Sequence, residues 1–270
     1  MMQPEAGTLT VGTGDDTREI AALIRRGGST AADQPGAGRP GLVWLGGYRS
    51  DMSGSKAEAL CRHAGETGQA CLRFDYSGHG ASGGSFRDGT ISRWLAESMA
   101  AFEHFTTGPQ ILVGSSMGGW IALRMVQELR AQGLSDRVAG LVLIAPAPDF
   151  TLELMEPELT EAQRAALERD GYYEEPTPYG PDPNVFTRAL FEDGRANRVL
   201  DGLIETGAPV HIIQGMADPD VPWRHALKLV EHLPSDNVTL TLIRDGDHRL
   251  SRDEDIARIL AAVDTIAQTP

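Results

Sequence analysis

The amino-acid sequence predicts an α/β fold in which a mostly parallel, eight-stranded β-sheet carries helices on both faces. From about residue 41 onward, short apolar runs of the kind that form buried strands alternate with longer segments of helical periodicity. Helices that connect parallel strands pack on the faces of the sheet. The chain of 270 residues is long enough for one large domain, so we expect a single domain over residues 1–270.

The N-terminal strands are predicted from short runs of β-forming residues. Residues 8–11 (TLTV) and 19–25 (EIAALIR) contain β-branched and aliphatic side chains in rough alternation. The stretch 27–40 is rich in Gly, Pro and Ala, which indicates a loop. The continuous apolar run GLVWLGG (41–47) then predicts a strand that is buried on both faces.

Strands and helices alternate through the rest of the chain. Compact apolar runs predict five more strands, at 70–76, 110–115, 138–146, 209–215 and 238–246. Apolar residues at helical spacing predict five helices, at 53–68, 90–105, 120–133, 223–233 and 254–267. We expect Thr90 to cap the second of these helices and Gly133 to end the third.

Residues 149–200, called the insertion below, interrupt this alternation. The insertion is rich in Pro, Glu and Tyr, with a helical pattern at 159–173 and no strand pattern. A connection of about 50 residues is far longer than an ordinary loop, and long loops often act as lids over active sites. Several apolar and aromatic residues could pack within it: Phe150, Leu152, Leu154, Met155, Tyr172, Tyr173, Phe186 and Phe191. We therefore expect a small lid rather than a disordered segment.

The composition excludes several classes of function. The formal net charge of −14 argues against binding to nucleic acid or to an anionic membrane, because both need basic patches. No apolar run approaches the roughly 20 residues of a membrane-spanning helix. The first residues lack the apolar core of a secretory signal and the basic character of a transit peptide. Cys61 and Cys71 lie in or beside apolar segments, so we expect buried free thiols and a cytoplasmic location.

The stretch ILVGSSMGGW contains a candidate nucleophile. Gly114-Ser115-Ser116-Met117-Gly118 matches G-x-S-x-G, and it follows a predicted strand and opens a predicted helix, as this motif requires. A strand that turns at once into a helix strains the serine backbone and brings neighbouring backbone close, so the two outer positions need glycine. The turn presents the Ser116 hydroxyl at the positive end of the helix. We expect Ser115 to be only a small neighbour.

A serine hydroxyl needs a base that accepts its proton and a carboxylate that orients the base. In doubly wound hydrolases the acid and the histidine follow the serine in sequence, each in a loop after a strand. His248 follows the last strand, within DGDHR, and is the candidate base. Asp218 follows the strand at 209–215 and is favoured as the acid over its neighbour Asp220. Asp149, one strand earlier, is the main alternative.

Acyl transfer also passes through an oxyanion, which backbone N–H groups stabilise. One donor is expected to be the N–H of Met117, directly after the nucleophile. The second is expected at Tyr48 N–H, in the loop after VWLGG, because Gly46 and Gly47 let that backbone approach the substrate. An ordinary glycine turn is the alternative interpretation of this loop.

The remaining histidines and acidic residues do not indicate a metal ion or other cofactor. Six further histidines are expected to have ordinary surface, core or loop positions: His63, His79, His104, His211, His225 and His232. The run DGDHRLSRDEDI is weakly similar to a calcium-binding loop. Arg249 and Leu250 stand where that loop requires a ligand and a glycine, so we expect no metal ion and no other cofactor.

Five stretches together resemble the α/β-hydrolase superfamily, from about residue 40 to the C-terminus: LGGYRSDMSGSKA, CLRFDYSGHGASGG, ILVGSSMGGW, GMADPDVPW and DHR. Within it the chain is similar to the branch that contains the palmitoyl-protein thioesterase which also acts as an acyl-glucuronide esterase. This resemblance implies an α/β-hydrolase fold and a catalytic triad of Ser116, Asp218 and His248. It is weakest through the insertion. The targeting peptide of the organellar member has no counterpart here, as expected for a bacterial-type cytoplasmic relative.

The leading hypothesis is a serine hydrolase that cleaves carboxylic esters or thioesters of hydrophobic acids through an acyl-Ser116 intermediate. The same residues serve other chemistry, so a cofactor-free haloperoxidase, a C–C bond hydrolase and a peptidase are alternatives. A non-catalytic binding protein with the hydrolase fold is an alternative from another class. The expected partner is a small-molecule or acylated substrate, without nucleic acid and without a membrane span.

Overall fold

The computed structural model describes residues 3–28, 38–177, 181–234 and 237–268. Ten strands occur in the described residues: β1 Glu5–Val11, β2 Arg18–Arg25, β3 Gly41–Leu45, β4 Cys71–Phe74, β5 Gln110–Ser115, β6 Val138–Ile144, β7 Tyr172–Glu175, β8 Asn184–Thr187, β9 Val210–Gly215 and β10 Val238–Ile243. The α-helices in the same ranges are α1 Ser55–Thr67, α2 Ile91–Phe105, α3 Met117–Ala131, α4 Glu161–Arg169, α5 Arg188–Ala196, α6 Trp223–Glu231 and α7 Asp253–Ala267.

Eight of the strands form one sheet in the order β1-β2-β4-β3-β5-β6-β9-β10. The pairs from β4 to β10 are parallel, whereas β1 with β2 and β2 with β4 are antiparallel. The predicted fold class is therefore confirmed. The predicted loop at 27–40 lies for the most part, from 29 to 37, outside the described residues.

Both faces of the sheet are covered because its central strands are apolar on both sides. In β3 every residue is buried, and its side chains alternate between two clusters of the core. Val43 and Leu45 pack in the cluster that includes α2, α3 and α6. Leu42 and Trp44 pack in the cluster that includes α1 and α7. A continuous apolar run is thus the pattern expected of a strand between two helical layers.

Several local predictions are confirmed at the residue level. The Thr90 side chain accepts a hydrogen bond from the Arg93 N–H and caps α2. The chain leaves α3 through Gly133, whose φ of +73° is the left-handed conformation typical of a glycine after a helix. Cys61 and Cys71 are buried and free. Among the described helices, none is long and apolar enough to cross a membrane.

The insertion follows β6 and contains more structure than its sequence pattern indicates. Two helical turns at 151–155 and 156–158 precede α4, the strands β7 and β8, and α5. The predicted helical pattern at 159–173 is correct only as far as Arg169, and the expectation of no strand is wrong. Tyr172 and Tyr173 belong to β7, which pairs antiparallel with β8 in register Tyr173↔Phe186.

The error has a physical cause. Each strand of this hairpin has only four residues, which is too short for a period of two to stand out in sequence. The helix ends before the hairpin because Gly171 adopts a φ of +80°. The hairpin then buries Tyr173 and Phe186 on one face, so its stability depends on packing that lies far away in sequence.

Candidate active site

Ser116 occupies the tight turn between β5 and α3. Its backbone has φ +54° and ψ −119°, which a residue with a Cβ rarely adopts. Three backbone hydrogen bonds hold it there: its N–H donates to Ile144 O at 2.9 Å, and its carbonyl accepts from Gly119 N–H at 2.9 Å and Ala147 N–H at 3.1 Å. The strain is therefore maintained by the neighbouring strand β6 and the segment that follows it.

The glycines of this turn are required by close backbone contacts. A Cβ atom at Gly114 would lie 2.4 Å from Gly118 O, and a Cβ atom at Gly118 would lie 2.0 Å from Leu45 O. Neither contact is possible for real atoms, so both positions exclude any side chain. This agrees with the steric reason for which the sequence motif demands glycine two residues on either side of the serine.

His248 and Asp218 complete a hydrogen-bond chain with Ser116, called the Ser–His–Asp chain below. The distance from His248 Nε2 to Ser116 Oγ is 3.1 Å, and the distance from His248 Nδ1 to Asp218 Oδ2 is 2.8 Å. An ionised carboxylate can only accept, so Nδ1 carries the proton and Nε2 is left as the acceptor for the serine hydroxyl. The three residues are separated by up to 132 positions in sequence, yet they meet at the carboxyl edge of the sheet.

The Asp218 carboxylate is held in one orientation by four hydrogen bonds. Oδ1 accepts from the N–H groups of Asp220 at 2.8 Å and Val221 at 2.9 Å. Oδ2 accepts from Gln214 Nε2 at 3.0 Å as well as from His248. The Asp218 side chain is fully buried, so these bonds are not exchanged with water.

Two further glycines bring the loops of Asp218 and His248 together. A Cβ atom at Gly215 would lie 2.3 Å from Gly246 O. Beside this contact, Ala217 N–H donates to Gly246 O at 3.0 Å. Sequence reasoning missed Gly215, Gly246 and Gln214 as supporting residues. Gln214 could have been found, because a polar amide at the end of an apolar strand is expected to be buried and therefore needs a hydrogen-bond partner.

The loop at residues 46–50, called the oxyanion loop below, lies against the nucleophile. A Cβ atom at Gly47 would be 3.3 Å from both Ser116 Cβ and Ser115 O. Within the described part of the chain, neither the Tyr48 N–H nor the Met117 N–H donates a hydrogen bond. Met117 begins α3, where the first N–H groups have no partner inside the helix. Both predicted donors, in residues directly after Gly47 and Ser116, therefore have no acceptor among the described residues.

The side chain of Tyr48 connects the oxyanion loop to the insertion. Its ring stacks on Phe186 of β8 at a centroid distance of 5.2 Å, and it meets the edges of Phe86 at 4.9 Å and Phe150 at 6.1 Å. The Tyr48 hydroxyl donates to Val185 O in the same strand. The hairpin of the insertion is thus packed directly against the loop that carries a candidate donor.

Asp149, the alternative acid, has a different set of partners. Its carboxylate accepts from the Val199 N–H at 2.9 Å and from the Leu200 N–H at 2.8 Å, and the residue is fully buried. Burial raises the pKa of Asp149, while these two hydrogen bonds act in the opposite direction. Because Asp149 starts the insertion and its partners end it, this carboxylate ties the two ends of the insertion together.

Possible cation ligands occur in the described residues beside the Ser–His–Asp chain. Asp218, Asp220 and His248 offer ligand atoms within 4.8 Å of one another. The oxygens of Asp218 already accept the hydrogen bonds given above, and His248 uses both ring nitrogens. These atoms serve one another, so the donor set does not fit a resident metal ion.

The other histidines bind backbone or side-chain groups away from Ser116. His225 Nε2 lies 2.8 Å from Pro148 O, and His211 Nε2 lies 2.9 Å from Thr241 Oγ1. His79 is the exception in position. It is buried beside the oxyanion loop, where it also lines a cavity, and its Nε2 accepts from the Arg49 N–H at 3.1 Å.

A cavity of about 200 Å³ lies next to the oxyanion loop. It is lined by Arg49, Ser50, Asp51, Gly78, His79, Gly80 and Phe86. Ser116 is not among these lining residues, so the cavity does not define an acyl-binding pocket.

An α/β sheet that carries a serine in a tight strand-to-helix turn, next to a histidine and an aspartate, is typical of α/β hydrolases. The model of the alpha/beta hydrolase family matches residues 35–262, and the chain belongs to this family. The fold and the family are therefore established together by the structure and by this match.

Known proteins agree with this assignment. A crystal structure of a putative hydrolase from Agrobacterium vitis S4 has 58% sequence identity and a TM-score of 0.94, covering 99% of this chain and 100% of that one. The human protein "Palmitoyl-protein thioesterase ABHD10, mitochondrial" is 30% identical over 228 residues, which are 84% of this chain and 72% of that protein. The structure of mouse alpha/beta hydrolase domain-containing protein 10 has 27% identity and a TM-score of 0.80, covering 97% of this chain and 98% of that one.

Proposed function

We propose that this hydrolase is a serine enzyme that cleaves carboxylic esters or thioesters through an acyl-Ser116 intermediate. The observation that carries the proposal is the Ser–His–Asp chain, with 3.1 Å between Ser116 Oγ and His248 Nε2 and 2.8 Å between His248 Nδ1 and Asp218 Oδ2. These distances are within the range at which a base can take a proton from a nucleophile. No metal ion or organic cofactor is required for this chemistry.

The proposed reaction has two halves. Ser116 Oγ attacks the acyl carbon while His248 Nε2 takes its proton, and the protonated imidazole then returns the proton to the leaving alcohol or thiol. Water next attacks the acyl-Ser116 ester with His248 again as the base, which releases the acid and restores the serine. Asp218 keeps the imidazole in the required tautomer. The N–H groups of Tyr48 and Met117 stabilise the oxyanion, and each lowers the barrier by about 3 kcal/mol.

The acyl group is proposed to be hydrophobic, and residues 149–200 are proposed to form a lid within the single domain. Two observations support this. The insertion presents Phe150 and Phe186 around Tyr48, beside the nucleophile. The human relative at 30% identity bears the name of a palmitoyl-protein thioesterase. An aromatic wall favours an apolar acid because burial of each CH₂ group contributes about 0.8 kcal/mol.

Labelling with a fluorophosphonate probe tests the nucleophile. The wild-type protein is expected to gain one probe adduct, detected by intact-mass spectrometry, and Ser116→Ala is expected to gain none. Ser115→Ala is the matched control, because this neighbouring serine is buried and has no place in the Ser–His–Asp chain. Equal labelling of Ser116→Ala and the wild type, or no labelling of the wild type, would contradict the proposed function.

A substrate panel separates the proposed activity from other chemistry of the same fold. p-Nitrophenyl esters of increasing chain length, acyl-CoA thioesters and aminoacyl amides are compared under the same conditions. We expect turnover of esters or thioesters that increases with acyl length, and little turnover of amides. Preferred cleavage of amides would indicate a peptidase, and tight binding without turnover would indicate a binding protein.

The cytoplasmic location stays a proposal that rests on sequence. The name of the human relative includes the word mitochondrial, but this location is stated for that protein alone. Fractionation of cells that express the chain from its own gene, followed by detection with an antibody, provides the test. Recovery of the protein in an organelle or in the secreted fraction would contradict the proposed location.

A further inference from the structure

His79 is a buried titratable residue that the Ser–His–Asp chain does not use. Only 4% of its surface is exposed, and aromatic rings lie against it on three sides. The centroid distances are 5.6 Å to Tyr76, 5.0 Å to Phe86 and 5.3 Å to Trp94. Such tight enclosure fixes the orientation of the imidazole, so its two nitrogens point to defined partners.

Both ring nitrogens of His79 hold backbone groups. Nδ1 lies 3.2 Å from Ser77 O, which can only accept, so Nδ1 carries the proton. Nε2 is then free to accept from the Arg49 N–H at 3.1 Å. Burial lowers the pKa of His79 to about 4, and the nearby Arg49 guanidinium acts in the same direction. The imidazole is therefore neutral at neutral pH, as this pair of hydrogen bonds requires.

The Arg49 N–H belongs to a turn that needs outside support. Ser50 N–H donates to Gly47 O at 3.1 Å and closes the turn. Arg49, at the third position, has a φ of +56°, whereas Tyr48 before it has no positive φ. This is the pattern of a type II turn, in which glycine is the favoured residue at the third position. A residue with a Cβ is disfavoured there unless neighbouring groups hold it.

The same turn contains the candidate oxyanion donor. The hydrogen bond from Arg49 to His79 fixes the peptide group that joins Tyr48 to Arg49, and the Tyr48 N–H lies one peptide earlier. Gly47, at the start of the turn, packs against Ser116. The orientation of the Tyr48 N–H toward the nucleophile therefore depends on the conformation of a turn that His79 stabilises.

We propose that His79 is a positioning residue for the oxyanion hole, which fixes the turn at Gly47–Ser50 so that the Tyr48 N–H faces the reacting carbonyl. This inference rests on the proposed function. His79 touches neither substrate nor Ser116 and acts only through the oxyanion loop. It therefore affects the stabilisation of the transition state and leaves the binding of the ground-state substrate unchanged.

The insertion holds the outer side of the same turn. The Tyr48 hydroxyl donates to Val185 O, and Arg49 Nη1 donates to Pro183 O at 2.5 Å. The turn is thus held from within by His79 and from outside by the hairpin. Loss of His79 alone is expected to misplace the donor rather than to release the loop completely.

The test compares His79→Phe, which keeps a ring but has no acceptor, with His79→Gln, whose amide oxygen can accept from Arg49. We expect His79→Phe to lower kcat about 10- to 100-fold with KM changed less than about 2-fold, because a displaced donor affects mainly the transition state. His79→Gln is expected to restore kcat to within a few-fold of the wild type. The affinity for an aryl trifluoromethyl ketone, which forms a tetrahedral adduct with the serine, should fall in parallel with kcat.

His211→Phe is the matched control, because His211 is half-buried and also makes one hydrogen bond, to Thr241, away from the oxyanion loop. If His79→Phe is insoluble, His79→Leu gives the same comparison. Unchanged kcat and inhibitor affinity in a folded His79→Phe or His79→Leu variant would overturn the positioning role, and so would equal losses in His79→Gln and His79→Phe. The proposed function is judged separately on the wild type: it fails if Ser116 is not labelled, or if neither esters nor thioesters are turned over.

Discussion

The backbone of Ser116 shows how a single residue is held in a conformation that its own chemistry disfavours. A φ of +54° costs a residue with a Cβ on the order of 1 to 2 kcal/mol, and three backbone hydrogen bonds to neighbouring segments oppose that cost. The strained conformation places the Ser116 hydroxyl where the imidazole can reach it. The hydroxyl stands clear of the sheet at the start of α3, where it reaches the His248 imidazole at 3.1 Å.

Asp218 and Asp149 are both buried aspartates after a strand, and their partners separate their roles. Asp218 accepts from His248, whereas Asp149 accepts from the N–H groups of Val199 and Leu200. Asp218→Asn is expected to lower kcat about 10⁴-fold, because an amide favours the wrong imidazole tautomer. Its NH₂ would also face N–H donors, so we expect the free energy of unfolding to fall by about 1 to 3 kcal/mol.

Asp149→Asn provides the contrast. In either orientation its amide NH₂ would face at least one N–H donor, so we expect the free energy of unfolding to fall by about 1 to 3 kcal/mol while kcat stays near the wild-type value. Urea unfolding and steady-state kinetics on both variants make the measurement. A large loss of kcat in Asp149→Asn, with Asp218→Asn still active, would show that the catalytic acid is Asp149 and not Asp218.

At the scale of elements, the hairpin of β7 and β8 and the oxyanion loop form one packed unit. The contact consists of the Tyr48–Phe186 stack at 5.2 Å and the hydrogen bond from the Tyr48 hydroxyl to Val185 O. A two-stranded hairpin is marginally stable alone, so this hairpin depends on what it packs against.

Tyr48→Phe removes the hydroxyl and keeps both the ring and the backbone N–H. We expect faster amide hydrogen exchange at 184–187 and a loss of kcat of about 2- to 10-fold, since a net hydrogen bond contributes about 1 kcal/mol. Tyr172→Phe in β7 is the control, because within the described residues its hydroxyl has no hydrogen-bond partner. Identical exchange in the two variants would show that the hydroxyl does not hold the hairpin.

At the scale of the whole molecule, buried and half-buried histidines make the fold sensitive to mild acid. Burial lowers the pKa of His79 to about 4, and it also lowers the pKa values of His211 and His225. In the unfolded chain a histidine takes up its proton near pH 6.5. As pH falls from about 6.5 to about 4, these histidines therefore bind protons in the unfolded state but remain neutral in the folded state. The free energy of unfolding decreases over that pH range.

His79→Gln isolates the share of this effect that belongs to one residue. Between about pH 7 and about pH 5, the free energy of unfolding of the wild type is expected to fall by about 2 kcal/mol more than that of the variant. Urea unfolding at the two pH values measures the difference. Parallel pH dependence in the two proteins would show that His79 is protonated in the folded state at about pH 5.

The predictable part of this protein lies in patterns that are local in sequence. Apolar runs such as 41–45 and 138–144 can be recognised as buried strands, because a strand between two helical layers has no polar face. The G-x-S-x-G turn can be recognised because its glycine spacing is fixed within five residues, even though Gly118 is crowded by the distant Leu45 O as well. His248 could be chosen because it directly follows the last strand.

The unpredicted part depends on contacts between distant segments. The hairpin at 172–175 and 184–187 has strands too short for a period to be visible, and its apolar residues pack on Tyr48. The role of Gln214 follows from the position of Asp218, and that of His79 from the conformation of a turn 30 positions earlier. No local pattern contains this information.

By itself, the sequence determined the layered α/β sheet, the tight turn at Ser116 and the order of the serine, the aspartate and the histidine. Patterns that are local in sequence, namely the apolar runs and the glycine spacing of the turn, are sufficient to indicate these features. Only the tertiary structure decided that Asp149 closes the insertion, that the hairpin rests on the oxyanion loop and that His79 faces Arg49. Those features arise from hydrogen bonds and ring contacts whose partners become neighbours only after the sheet has brought the ends of its strands together.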